Sequence, residues 1–211
     1  VPVFGSELTI ELAKIACANE DAAKDFDDFH IVDEKTEIDF ESATVSFFKT
    51  THSVPESFGI VVKTRKGNIV YTGDFKFDQT AAVGYKTDLG RLAEIGHEGV
   101  LALLSDSANA ENPKETVDEH VIFDFISETF EYHKGRIIVA CVASNILRVQ
   151  QIFEAASAND RKVVLTGHDA EKIVKTAMRL NKLHLPSDDL LVPLKAVSYT
   201  HLRAHETDQY L

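Results

Sequence analysis

His52 stands just past an apolar, β-branched stretch at 44–50, in the run Thr51-His52-Ser53-Val54-Pro55-Glu56-Ser57, where a proline ends regular structure. Asp74 occupies the same kind of place 22 residues later, in Thr72-Gly73-Asp74-Phe75-Lys76-Phe77-Asp78. An imidazole and a carboxylate on loops at the ends of neighbouring strands suit zinc or manganese, each donor about 2.0–2.2 Å from one ion. Taken alone, one His and one Asp are equally explained as a hydrogen-bonded loop histidine and a turn aspartate. A third place of interest is Ala143-Ser144-Asn145, ahead of a helical pattern with Val149, Ile152, Phe153 and Ala156 on one face. A helix N-terminus presents N–H groups without intrahelical partners and partial positive charge, which suits a phosphate. Capping is the commoner use of such residues, and on chemistry alone the stronger reading.

Other polar residues take plainer roles. Asp78 follows Phe77, a core position by its pattern, and is read as a group supporting Asp74 from behind. Gly167-His168-Asp169 reads as a turn and helix N-cap, and His97, His120, His133 and His184 have no partner at metal spacing. Cys17 and Cys141 sit in apolar segments and read as buried thiols of a reducing cytosol; two cysteines make neither a disulfide framework nor a thiolate zinc knuckle.

These residues need elements to hold them. Ser6 is placed to cap a helix over 7–19, with Leu8, Leu12, Ile15 and Ala16 at helical spacing. Strands are expected at 30–33, 44–50, 59–64 and 68–72, with Arg65-Lys66-Gly67-Asn68 as a hairpin between the last two. From residue 88 the pattern alternates: helix 88–95, strand 99–105, helix 116–132, strand 136–142, helix 145–158, strand 162–166, helix 169–182. Such alternation implies parallel strands with crossover helices. The expected boundary is Asn112-Pro113-Lys114, where a proline precedes a long amphipathic helix.

With 44% hydrophobic and 27% charged residues among 211, the composition is that of a soluble globular protein, and no apolar run reaches a membrane span. The net charge of −12 argues against unspecific nucleic-acid binding until its distribution is considered. Residues 18–41 hold ten acids against two lysines, whereas 134–182 hold nine Lys or Arg against four acids. The second half is therefore able to meet a polyanion, although a solvated helix face explains the same charges.

The strings HSVPES, GNIVYTGDFKFD, LLSDSANAE and GRIIVACVASNILRVQQ, in that order, resemble the ribonuclease J family, nucleases with a metallo-β-lactamase fold and an inserted β-CASP domain. The likeness runs from Val1 to about Pro193 and leans toward the second paralogue of Gram-positive bacteria. It implies an α/β fold: a partial metallo-β-lactamase αββα sandwich over 1–112, then part of a Rossmann-like β-CASP domain over 113–195. His52 matches a metal-binding histidine, and Asp74 the carboxylate bridging two metal ions. Asp106, in Ser105-Asp106-Ser107-Ala108-Asn109-Ala110-Glu111, matches an acidic residue that orients groups around the metals. Ala143, Ser144 and Asn145 match a loop that holds an RNA phosphate. Two zinc ions, with manganese or magnesium as alternatives, serve such sites. The implied function is cytoplasmic RNA processing and decay, including rRNA processing and mRNA decay, by 5′-to-3′ exonuclease or endonuclease cleavage, in homo-oligomers or hetero-oligomers with a paralogue and without membrane association.

The family's His-x-His-x-Asp-His run, which supplies most metal ligands, is not in this sequence. The expectation is therefore part of a ribonuclease, abrupt at its start and inactive by itself. The alternatives are a noncatalytic or weakly active subunit of a ribonuclease complex, or a small-molecule metallo-hydrolase of the same superfamily. Residues 196–211 depart from the preceding pattern and read as a non-native tail, with 198–207 resembling translated adapter sequence.

Overall fold

The computed structural model describes residues 1–78, 80–82, 84–113 and 116–196. Lys114 of the expected boundary and the proposed adapter stretch 198–207 lie outside them. Strand β1 (Val3–Gly5) leads into helix α1 (Glu7–Ala18) and strand β2 (Phe29–Ile31), and β1 and β2 pair in parallel. Five further strands form one sheet in chain order: β3 (Glu37–Phe40), β4 (Ala43–Lys49), β5 (Phe58–Thr64), β6 (Gly67–Tyr71) and β7 (Val100–Leu104). The first three pairings are antiparallel, while β6–β7 is parallel.

A parallel neighbour requires a crossover, and α2 (Leu89–Glu98) provides it. Asp88 starts that helix by accepting the Arg91 N–H, and Leu92 and Ile95 pack against Phe48, Val61 and Val70 of the sheet. Gly59 opposes Phe48 in the β4–β5 register. A Cβ at Gly59 would lie 2.1 Å from the Phe48 ring, so the missing side chain makes room for the aromatic. This topology sets three chain directions alike. Strands β4, β6 and β7 all end at the same sheet edge, and the segments after them carry His52, Asp74 and Asp106.

The remaining helices are α3 (Glu119–Tyr132), α4 (Ile146–Ala158) and α5 (Ala170–Arg179). Their core contains Phe130, Ile146, Val149, Phe153, Val174 and Ala177. Leu8 of α1 belongs to that same cluster. Glu11 of α1 also meets Arg179 of α5 at 2.5 Å, so the first helix packs with the last rather than with the sheet alone.

Several local expectations change. Residues 136–142 form no strand, and Ile138 is 80% exposed; at 162–166 a single bridge joins Val163 to Leu191. β-Branched residues favour a strand only where a neighbour completes the ladder, and tertiary context decides this. Strands β1 and β3, which lack a long apolar alternation, were not expected. Cys141 is exposed rather than buried, because its segment lies outside any sheet. The other helices and strands fall within a few residues of their expected spans, as helix ends commonly do.

A candidate metal and phosphate site at one sheet edge

The β4 exit is fixed before His52 is reached. The Thr50 N–H donates to Ser57 O at 2.9 Å, closing the loop, and the Thr51 N–H donates to the Thr87 hydroxyl at 3.0 Å. The β6 exit is fixed by Gly73, whose φ is +61° and whose Cβ, if present, would lie 2.8 Å from Phe58 O. Only glycine takes that turn at little cost. The Lys76 N–H then donates to Thr51 O at 2.8 Å, stitching the two loops together.

As a result, His52 Nε2 lies 3.8 Å from Asp74 Oδ2. Two donors each about 2.2 Å from a shared ion are at most about 4.4 Å apart, so the pair fits a common ion. Both remain accessible, with side-chain exposures of 36% and 72%. They line an open pocket of about 260 Å³ together with Ser6, Thr9, Glu56 and Ser57. Among the described residues, no group of three or more His, Cys, Asp or Glu is arranged to hold a metal ion. Among the described residues, His52 and Asp74 are therefore a pair at the spacing of a shared ion, not a closed coordination sphere.

Asp106 is tied to the same edge through its backbone. Its N–H donates to the Thr72 hydroxyl at 3.0 Å, and the Thr72 N–H donates to Leu104 O at 3.0 Å. One carboxylate oxygen accepts the Ala108 N–H at 2.8 Å, and among the described residues the side chain contacts neither His52 nor Asp74.

The Ala143–Asn145 turn is brought to the histidine loop, because the Leu147 N–H donates to Ser53 O at 3.2 Å. Here the structure corrects the idea of open helix-end donors. The Asn145 N–H goes to Val142 O, that of Ile146 to Ser144 O and that of Arg148 to the Asn145 side chain. Asn145 is thus an N-cap, and the four amides from Asn145 to Arg148 are all engaged. The Ser144 hydroxyl has no hydrogen-bond partner among the described residues and is half-buried.

Asp78 differs from its expectation as well. Phe77 is 64% exposed, whereas the Asp78 side chain is fully buried. It faces the start of α3, where its Oδ2 accepts the Glu119 N–H at 2.9 Å, and makes no contact with Asp74. Burial pushes its pKa up, but hydrogen bonds from Thr80 and Glu119 outweigh this and hold it below the ordinary carboxylate value. Sequence reading missed Lys76 and Glu119, which stand beside it, and Arg148 and Gln151, which bond the Glu119 side chain. The spacing of Arg148 and Gln151 on one helix face was the available signal. Asp169 takes the expected N-cap position of α5 at φ +58°, yet its carboxylate makes no capping bond and instead meets Lys172, His168 and Asn19.

The family described as "Ribonuclease J, beta-CASP domain" matches residues 134–205, which include the Ala143–Asn145 turn, α4 and α5. Over 93% of its length the chain is 57% identical to Ribonuclease J 2 of Streptococcus pyogenes, covering 36% of that protein. Along nearly its whole length the chain is similar to proteins of the ribonuclease J family. It is also 42% identical to Ribonuclease J2 of Bacillus subtilis over 199 residues, 35% of that relative. The chain thus spans about a third of the length of these ribonuclease J relatives. A solved protein of unknown function from Enterococcus faecalis V583 superposes with a TM-score of 0.68 over 93% of this chain and 50% of its own. At 14% identity it speaks for the fold alone. The mixed α/β fold with a β-CASP portion agrees with the ribonuclease J expectation.

Proposed function

We propose that this chain carries one side of the active site of a metal-dependent ribonuclease that hydrolyses RNA phosphodiesters in RNA processing and decay. The observation carrying this is the 3.8 Å approach of His52 Nε2 to Asp74 Oδ2, beside a turn reached through the Leu147 to Ser53 hydrogen bond. Residues 1–112 form the metallo-β-lactamase portion, 113–195 the β-CASP portion and 196–211 a non-native tail, into which the β-CASP match extends as far as residue 205. Asp106 orients groups at the metal edge through the Thr72 loop.

Divalent ions in such a site, zinc first and manganese or magnesium as alternatives, supply Lewis-acid stabilisation of phosphoryl oxygens and acidify a bound water. The residues of this chain do the positioning. Ser53 faces His52 Nδ1 at 3.5 Å, which leaves Nε2 directed at Asp74. Gly73 aims the Asp74 carboxylate into the pocket. With the helix amides engaged, the Ser144 hydroxyl and the Asn145 side-chain amide are the groups that hold a phosphate. The basic stretch 134–182 attracts the RNA backbone around them.

Cleavage of a 5′-phosphorylated RNA by the whole protein tests this. His52→Ala and Asp74→Asn must abolish turnover while leaving the fold intact, and undiminished cleavage by either variant would falsify the assignment. Exonuclease and endonuclease products are separated in the same assay. A second reading is a noncatalytic or weakly active subunit of a ribonuclease complex, with which the lack, among the described residues, of any group of three or more His, Cys, Asp or Glu placed to hold a metal ion is compatible. Absence of cleavage by the whole protein, with RNA binding kept, selects it. The small-molecule hydrolase reading loses to the β-CASP match. No helix among the described residues is long and apolar enough to cross a membrane. A cytoplasmic place and oligomers, alone or with a paralogue, belong to this proposal.

A further inference from the structure

The N-terminus of α3 is capped from another part of the chain. Asp118, at the N-cap position, makes no side-chain capping bond. Asp78, 41 positions earlier, accepts the Glu119 N–H instead. Its other oxygen accepts the N–H and hydroxyl of Thr80 at 2.8 and 2.6 Å, so both carboxylate oxygens are used. Around this buried carboxylate lies a connected set of charges. Lys76 Nζ donates to Val117 O at 2.6 Å and to Glu119 Oε1 at 3.0 Å, and stands 3.6 Å from Asp78. The second Glu119 oxygen accepts from Arg148 and Gln151 of α4, each at 3.3 Å. The set therefore runs from the loop after β6, through the first turn of α3, to the first turns of α4.

We propose that Asp78 is a positioning residue that caps α3 across the chain and so holds the Asp74 loop in register with the start of α4. The inference rests on the reading of Asp74 and the Ala143–Asn145 turn as parts of one site. Two backbone bonds report the register: Lys76 N–H to Thr51 O, and Leu147 N–H to Ser53 O. Neither involves an Asp78 atom, so a cap of purely local effect leaves both unchanged.

Amide hydrogen exchange on the whole protein tests the inference. In Asp78→Asn, exchange at Lys76, Glu119 and Leu147 should rise together by roughly tenfold, the scale of losing a hydrogen bond to a charged group. Val61 and Val70, in the β5–β6 ladder, should be unchanged. Acceleration at Glu119 alone, or at none of the three, overturns the inference. If the ladder amides also speed up, Glu119→Gln decides, since it keeps the α3 amide and removes the carboxylate shared by Lys76 and Arg148. Coupled acceleration at Lys76 and Leu147 then upholds the inference, and its absence overturns it. Zinc titration adds a readout that a merely structural role does not move. At a temperature well below the unfolding of both proteins, Asp78→Asn should weaken zinc binding roughly 10–100-fold, the scale on which outer supporting groups act. Zinc binding equal to that of the unsubstituted protein counts against the role of Asp78. Failure of the unsubstituted protein to bind zinc counts against the reading of His52 and Asp74 instead.

Discussion

The backbone N–H of Leu147 donates to the carbonyl oxygen of Ser53 at 3.2 Å, joining the first turn of α4 to the loop that carries His52. This bond consumes one of the helix-end donors that an anion would otherwise use. Phosphate recognition therefore shifts to side chains at Ser144 and Asn145. Ser144→Ala should weaken RNA binding by the whole protein with little change in stability, because its hydroxyl anchors nothing else among the described residues. Asn145→Ala should weaken binding and also cost about 1 kcal/mol of stability, since Asn145 is the N-cap. RNA titration at fixed salt, paired with urea unfolding, separates the two. Equal stability losses would remove the distinction between cap and ligand.

The His52–Asp74 pair predicts the opposite combination of stability and activity. Asp74 is well exposed and His52 partly so, and their separation of 3.8 Å is too long for a strong hydrogen bond. His52→Ala should change unfolding free energy by no more than about 0.5 kcal/mol, as surface substitutions do. Its effect on zinc affinity should exceed the roughly 10–100-fold typical of outer-shell partners. Calorimetric zinc titration and chemical denaturation on the same variant measure both. A stability loss of several kcal/mol would mark His52 as a packing residue.

How much of this was readable beforehand depends on the range of the interaction. Strands β4, β5 and β6 carry their own alternation and turn chemistry, so their placement and that of the loops bearing His52 and Asp74 followed from local pattern. Residues 136–142 are more apolar than any of these and form no strand, because a ladder is a property of two segments. Phe77 and Asp78 exchanged expected roles for a related reason. An aromatic beside a carboxylate suggests the ring goes inside, but the helix end of α3 offers Asp78 an N–H that outweighs the cost of burying its charge. That partner lies 41 positions away and leaves no periodic trace.

Acid sensitivity follows from the same carboxylate. The folded-state pKa of Asp78 lies below its ordinary value of 3.8 because its hydrogen bonds outweigh burial. Between these values the unfolded chain binds more protons than the folded one, so stability rises with pH there. The contribution is present above pH 3.8 and is lost as pH falls through the lower folded value. Glu11 is lowered as well, by its hydrogen bonds to Lys14 and Arg179, and adds a loss of the same sign at the α1–α5 contact. Asp78→Asn should therefore be less stable than the unsubstituted protein at neutral pH and flatter in its dependence on acid. Unfolding free energies measured from pH 7 down to about 3 test this, and parallel curves for the two proteins would contradict it.

Gly59 and Phe48 make the sheet beneath the site sensitive to a single methyl group. A Cβ at Gly59 meets the Phe48 ring at 2.1 Å, far inside contact distance, and Phe48 is only 2% exposed. Gly59→Ala should cost about 1–3 kcal/mol by overpacking, and Phe48→Ala about 3–5 kcal/mol by leaving a cavity. Because the new methyl occupies space that the ring vacates, the double variant should be less destabilised than the sum of the singles by about 0.5–3 kcal/mol. Urea unfolding of all four proteins closes the cycle. Strict additivity would mean that the two residues do not share one space, and that Gly59 is there for a backbone reason instead.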